Sequence, residues 1–149
     1  MAPADPAFAE RVRASFARQA FMATLGARLT AVEPGRVAIA MPYRADLAQQ
    51  HAFVHAGAIA AIADSACGYA ALTLMPAGAA VLSVEFKVNL LKPAAGEEFV
   101  AEARVVRAGR TLSVCTAEVV AHGADGATAT VALMTGTMMA VADRAGLSD

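Results

Sequence analysis

The rhythm of hydrophobic and polar positions changes three times along the chain. From Pro6 to Phe21 the apolar residues Phe8, Val12, Phe16 and Phe21 recur at near-helical spacing with Arg11, Arg13 and Arg18 between them, which predicts a short amphipathic helix lying on a core. Leu25 to Val32 and Arg36 to Met41 then alternate on either side of Glu33-Pro34-Gly35, a hairpin signal. After a polar stretch from Pro42 to Gln50, the segment Ala56 to Leu74 is apolar on all sides and is followed by Pro76 and Gly78, which predicts a buried helix with its stop signals. Beyond it the period is that of strands, over 79–91, 97–107, 111–122 and 127–141, with turns at Pro93 to Gly96, at Ala108-Gly109 and at Gly123 to Gly126. In the second of these strands Phe99, Ala101, Ala103 and Val105 share one face and Glu102 and Arg104 the other, as in a sheet with one solvated side. Four long strands in succession with short turns predict an antiparallel meander.

A helix that is apolar all round must be covered on every side, and a single curved antiparallel sheet wrapped around it does most of that. A hairpin, a buried helix and then four strands is the order of an α+β hotdog fold, here with a short N-terminal helix added. Such sheets extend edge to edge into a dimer, which also covers their open strand edges. The organisation expected is an N-terminal helix packed on the domain over 1–24, one domain over 25–141 and a short tail over 142–149.

Composition narrows the function classes. Of the 149 residues 58% are hydrophobic, and 40 are alanine. The alanines concentrated between Ala56 and Ala71 make a slim helix that a concave sheet can approach closely, at the best helix propensity. A net charge of −1 without any basic cluster argues against nucleic acid or an anionic membrane as partner. Val54 to Met75 meets the length criterion for a membrane span, but Asp64 near its middle would cost about 2.5–3.5 kcal/mol there, so a helix buried in a soluble protein is the better reading. The N-terminus carries charges throughout and has no continuous apolar run, so no secretory signal is expected and the location predicted is cytoplasmic. Cys67 and Cys115 lie in apolar surroundings and in no metal-ligand spacing; they read as buried thiols in a reducing compartment.

Several common site types are absent from the sequence: a Gly-rich phosphate loop ending in Lys-Ser/Thr, a Gly-x-Ser-x-Gly elbow, His-Glu-x-x-His and a dinucleotide fingerprint. His51 and His55 are four apart, but no third ligand follows at a sensible spacing, and no metal is expected. Asp64 is the most informative residue. Its neighbours are apolar and no Lys or Arg lies within a helical turn, so its desolvation must be compensated by a role. General base or nucleophile is that role, against the alternative of an aspartate pointing to solvent. The second feature is the start of the helix at His55-Ala56-Gly57, where unpaired amides suit a carbonyl oxygen becoming an oxyanion. Ala56 and Asp64 are eight residues apart, about 12 Å along a helix, so one helix cannot bring both to the same carbon. An antiparallel helix from a second chain can, which argues for active sites shared across a two-fold dimer.

QQHAFVHAGAIAAIADSACGYAA, SVEFKVNLLKPA and VRAGRTLSV together resemble the hotdog-fold acyl-CoA thioesterases of the PaaI type, over roughly Leu25 to Val141. The family pattern is His-Gly-Gly with an acidic residue nine positions after the His, and His55 with Asp64 matches that spacing. The resemblance implies that Asp64 is base or nucleophile, that the amide of Ala56 in the His55-Ala56-Gly57 segment polarises the thioester carbonyl, that Gln49 orients it and that Ser83 holds the attacking water. Ala56 departs from the usual Gly, and Gln49 from the commoner Asn. Arg110 resembles a position that contacts the coenzyme A phosphates, with an ordinary surface arginine as the other reading; Lys92 and Asn89 are further candidates. The function implied is hydrolysis of an acyl-CoA to a free acid and coenzyme A, by a homodimer assembling to a homotetramer. No resident cofactor is implied, since coenzyme A is part of the substrate. Two alternatives stay open: a hotdog hydratase acting on an enoyl or hydroxyacyl thioester, and a non-catalytic acyl-CoA-binding hotdog protein.

Overall fold

The computed structural model describes residues 1–142 and 145–147, so the predicted tail at 142–149 lies partly outside the described residues. The N-terminal amphipathic segment is two helices rather than one: α1 (Phe8–Arg18) ends where Gln19 takes an extended backbone (φ −79°, ψ 92°), and α2 (Ala20–Thr24) follows. Val12 of α1 and Met22 of α2 are both buried in the core. The hairpin pairs β1 (Arg28–Glu33) with β2 (Arg36–Pro42), and Gly35 supplies the left-handed φ of +73° that its turn requires. α3 (Ala56–Leu72) follows, and then β3 (Ala80–Leu90), β4 (Glu98–Ala108), β5 (Leu112–His122) and β6 (Thr128–Val141).

The six strands form one antiparallel sheet in the order β1-β2-β4-β5-β6-β3. This corrects the expected four-strand meander. Of the four strands after α3 only β4, β5 and β6 are successive neighbours; β3 pairs with β6 at the far edge, and β2 takes the place beside β4. The cause is the link from Leu91 to Glu97. It holds Pro93, which suits no tight hairpin here, and it is long enough to cross the width of two strands, about 14 Å from β3 to β4. As it crosses, the Ala94 carbonyl accepts the Val54 N–H at 3.0 Å, so the link runs beneath the start of α3.

α3 lies on the concave face and packs against β2 to β6. Ile59, Ile62 and Leu72 are fully buried in one core with Ile39, Met41, Phe99 and Val119, and Ala63, Ala66 and Ala70 of α3 are buried in the same core as Ala101, Ala103, Ala117 and Ala121 of β4 and β5, small residues that let helix and sheet approach closely. The expectation that α3 is covered on every side needs correction. Gly57, Ala60, Ala61, Asp64 and Ser65 keep partial or full exposure, and their spacing of about four residues makes one uncovered strip along the helix. Among the described residues no helix is long and apolar enough to cross a membrane.

Both cysteines are free and fully buried. Burial pushes the Cys67 thiol well above the ordinary range and the Cys115 thiol up to about 12. Neither should therefore react with a neutral-pH disulfide reagent in the folded protein, and both should react in denaturant; a fast native-state reaction at either would contradict this packing.

Candidate functional site

His55 sets the geometry at the start of α3. Its backbone is extended (φ −60°, ψ 137°), and its Nδ1 accepts the Gly57 N–H at 2.8 Å, an imidazole serving as helix cap. A Cβ at Gly57 would stand 3.0 Å from that nitrogen, so glycine keeps the cap in place. The N–H groups of Ala58 and Ile59 both turn to the His55 carbonyl, at 3.0 and 3.4 Å. Ala56 N–H is left without an acceptor among the described residues. Because His55 is the cap and His51 lies in the preceding turn, the two imidazoles do not share a helix face.

The turn before the helix is tied at several points. The Gln49 side-chain oxygen accepts the His51 N–H, Ala52 N–H donates to the Gln49 carbonyl at 3.0 Å, and His55 N–H donates to the Leu47 carbonyl at 2.8 Å. Ala52 holds a left-handed φ of +66°, unusual for a residue with a Cβ and a sign that the surroundings dictate this turn. With its oxygen engaged, Gln49 has its amide N–H groups available toward the adjoining cleft, a space of about 600 Å³ lined by Gln49, Phe53, His55, Ala56, Ile59, Val131 and the crossing link Leu91 to Ala94. Apolar side chains predominate there, with Gln49, Gln50, His55 and Lys92 as the polar contributors.

Asp64 and Ser83 form a separate pair. The Ser83 hydroxyl, on the inner face of β3, donates to Asp64 Oδ1 at 2.7 Å, and Met138 Sδ is 3.4 Å from the same hydroxyl. Asp64 is half-buried rather than enclosed, because it sits on the uncovered strip of α3. Neither Asp64 nor Ser83 lines the cleft at the helix start. Within one chain, then, Gln49, His55, Ala56, Gly57 and Lys92 are gathered at one end of α3 and Asp64 with Ser83 two turns further on. Arg110 stands in the exposed β4–β5 turn, toward the Ser83 end of the sheet, since Leu112 and Leu82 both pair with Met139. Asn89 pairs with the exposed Leu133 and shares its outer face, away from α3. The apolar lining from the crossing link, and a small polar cavity beside Ser83, had no sequence signal, because each depends on which strand neighbours which.

A sequence profile of the thioesterase superfamily matches residues 51–126, a span that includes His55, Asp64, Ser83 and Arg110. The chain is 32% identical over 94 residues to a Saccharolobus solfataricus protein named for a suspected esterase activity, covering 63% of this chain and 66% of that one, slightly under two thirds of its length. A solved thioesterase family protein from Silicibacter pomeroyi is 55% identical, with a TM-score of 0.90 over 91% of this chain and 99% of that chain. The E. coli PaaI protein of the phenylacetic acid degradation operon superposes with a TM-score of 0.79 over 95% of each chain, and its 24% identity speaks to the fold alone. With its helix wrapped by the sheet of a hotdog fold and half its length matched by that profile, the chain belongs to the thioesterase superfamily.

Proposed function

We propose that this protein is an acyl-CoA thioesterase of the PaaI type whose active site is shared between two chains. The observation that carries the proposal is the position of two complementary half-sites on one uncovered strip of α3: a free Ala56 amide beside an apolar cleft, and the Asp64–Ser83 pair two turns along. Two copies packed with these strips antiparallel set Asp64 of each against the helix start of the other. Small residues along the strip permit that close approach. β3 supports the same pairing, for it is an edge strand with an open backbone and exposed Val84 and Phe86, the kind of edge that a second copy covers. Exposed Leu112, Val114 and Leu133 on the outer sheet face support a further pairing of dimers into a tetramer.

The chemistry follows from the groups present. Asp64 removes a proton from water, whose oxygen forms a bond to the thioester carbonyl carbon. The carbonyl oxygen gains charge and is stabilised by the Ala56 N–H, and Gln49 donates from the side. The C–S bond then breaks, and coenzyme A leaves as a thiolate that takes up a proton. Ser83 occupies Oδ1 of Asp64 and so leaves Oδ2 for the water. Lys92, which lines the cleft, is the cation assigned to the coenzyme A phosphates, with Arg110 second; Asn89 faces away and is the weakest of the three. An aspartyl anhydride formed by direct attack of Asp64 is the alternative course.

Ala56→Pro tests the oxyanion role cleanly. Ala56 is the first helical residue, where proline is well tolerated, and the His55 backbone before it already has the extended conformation that proline prefers. The substitution replaces the N–H by a ring methylene at the point where the carbonyl oxygen would sit, and leaves the helix otherwise intact. Thiol release from a panel of acyl-CoA substrates should fall about 10²–10³-fold with the thermal midpoint unchanged, and undiminished turnover would remove Ala56 from the mechanism.

A further inference from the structure

A second cavity adjoins the Asp64–Ser83 pair. It measures about 110 Å³, is lined by Gln19, Ser65, Gly68, Tyr69, Val81 and Ser83, and has room for about four non-hydrogen atoms at the volume each takes in a liquid. Its character is opposite to that of the larger cleft: amide and hydroxyl groups outnumber the one aliphatic side chain. Gly68 is in mid-helix, where glycine is the poorest choice after proline. Nothing in the backbone demands it, for its φ is not left-handed, and a Cβ there would meet no atom nearer than 4.0 Å, on Val81. The space a side chain would fill is left open one turn from Asp64. The Ser65 hydroxyl donates to Gln19 Oε1 at 3.4 Å, a long bond that a ligand hydroxyl can replace at little cost.

Resting on the shared-site reading above, we infer that this cavity is the acyl pocket and that it selects short acyl groups bearing a neutral hydroxyl, with Gly68 keeping it open and Gln19 and Ser65 binding the hydroxyl. A carboxylate is excluded on charge, because Asp64 stands beside the cavity and no cation among the described residues lines it. The hydroxyacyl class has the right size: a 3-hydroxybutanoyl group places four non-hydrogen atoms beyond its carbonyl carbon. Its isostere 3-methylbutanoyl replaces the hydroxyl by a methyl and leaves the polar lining without a partner.

The test compares kcat/KM for 3-hydroxybutanoyl-CoA and 3-methylbutanoyl-CoA in the native protein. The hydroxylated substrate should be preferred by about tenfold or more. Ser65→Ala and Gln19→Met should bring that ratio close to one, the loss falling on the hydroxylated substrate. Gly68→Ala should shift preference toward acetyl-CoA while its unfolding midpoint stays level or rises, which separates a filled pocket from a damaged fold. A ratio near one in the native protein, or a ratio unchanged in the variants, overturns the pocket assignment and leaves thioester hydrolysis standing. Failure to hydrolyse any of the three with turnover of other acyl-CoA substrates likewise overturns the pocket assignment, and absence of thiol release across the whole acyl-CoA panel overturns the underlying reading instead.

Discussion

Asp64→Asn should reduce thiol release from acyl-CoA substrates by at least about 10³-fold while the protein stays folded and associated. Loss of structure is not expected: Asp64 is half-buried on the open strip of α3, asparagine has the same shape, and its carbonyl oxygen can still accept the Ser83 hydroxyl. What asparagine cannot do is take a proton from water or attack a carbonyl. Circular dichroism and sedimentation should match the native protein, and turnover within tenfold of native would remove Asp64 as base or nucleophile. The shared-site geometry adds a sharper form of the result. A heterodimer of an Asp64→Asn chain with an Ala56→Pro chain has one site with both defects and one site with neither. An equal mixture, re-associated from separated chains, should regain about a quarter of native activity. No recovery with heterodimers demonstrated would show that each chain carries a complete site.

The same variant separates the remaining alternatives. A hydratase acting on an enoyl thioester needs an acid and a base around one double bond. Here His55 serves as the cap of α3 with its Nδ1 occupied by the Gly57 N–H, and thiol release without hydration of an enoyl-CoA is the result that separates the thioesterase from the hydratase. A non-catalytic acyl-CoA binder would show equal affinity in the native protein and in the Asp64→Asn variant and no thiol release from either, an outcome that a binding titration run beside the activity assay would reveal.

The features read most directly from the sequence are those that local chemistry fixes. The hairpin follows from Glu33-Pro34-Gly35 and its left-handed glycine, and α3 begins and ends within two residues of the span that its apolar run predicts. Strand periods follow in the same way from alternation, as Phe99, Ala101, Ala103 and Val105 show on the buried face of β4. Strand order is another matter. Alternation tells which face of β3 is inward and says nothing of whether its partner is β4 or β6, and the crossing link that decides this also builds one wall of the cleft. The open strip of α3 was hidden for a related reason. A helix whose uncovered side is alanine and glycine apart from Asp64 and Ser65 has no broad polar face to mark it, so Asp64 read as a carboxylate in a fully buried helix when it stands at a boundary.

Arg11 was hidden most completely, and its removal should be the most damaging to stability. In the sequence it is one of three arginines on the polar side of an amphipathic helix; in the fold it reaches the C-terminus of α3, where the last carbonyls of a helix have no partners of their own. Its guanidinium donates to the carbonyls of Pro76, Leu72 and Met75 at 2.6, 2.9 and 2.9 Å, and Asp5 pairs with it at 3.5 Å. The side chains of Arg11 and Asp5 are only 10% and 9% exposed, so screening by water does little to weaken the pair. Arg11→Met keeps the apolar stem and removes every one of these bonds, which strips the buried Met75 carbonyl of its partner and leaves the buried Asp5 carboxylate with the Ala7 N–H alone, while the Leu72 and Pro76 carbonyls keep the Met75 and Ala79 N–H groups. The expected cost is about 3 kcal/mol, read as a fall in thermal midpoint of about 10 °C. Arg13→Met, on the exposed side of the same helix, should change stability by less than about 0.5 kcal/mol. Arg11→Lys should recover only part of the loss, since an ammonium on a flexible stem cannot present the planar fork that meets three carbonyls at once. Equal midpoints for Arg11→Met and Arg13→Met would mean that the end of α3 is held by the Thr73 hydroxyl, which accepts the Gly35 N–H and donates to the Ala70 carbonyl, without help from α1.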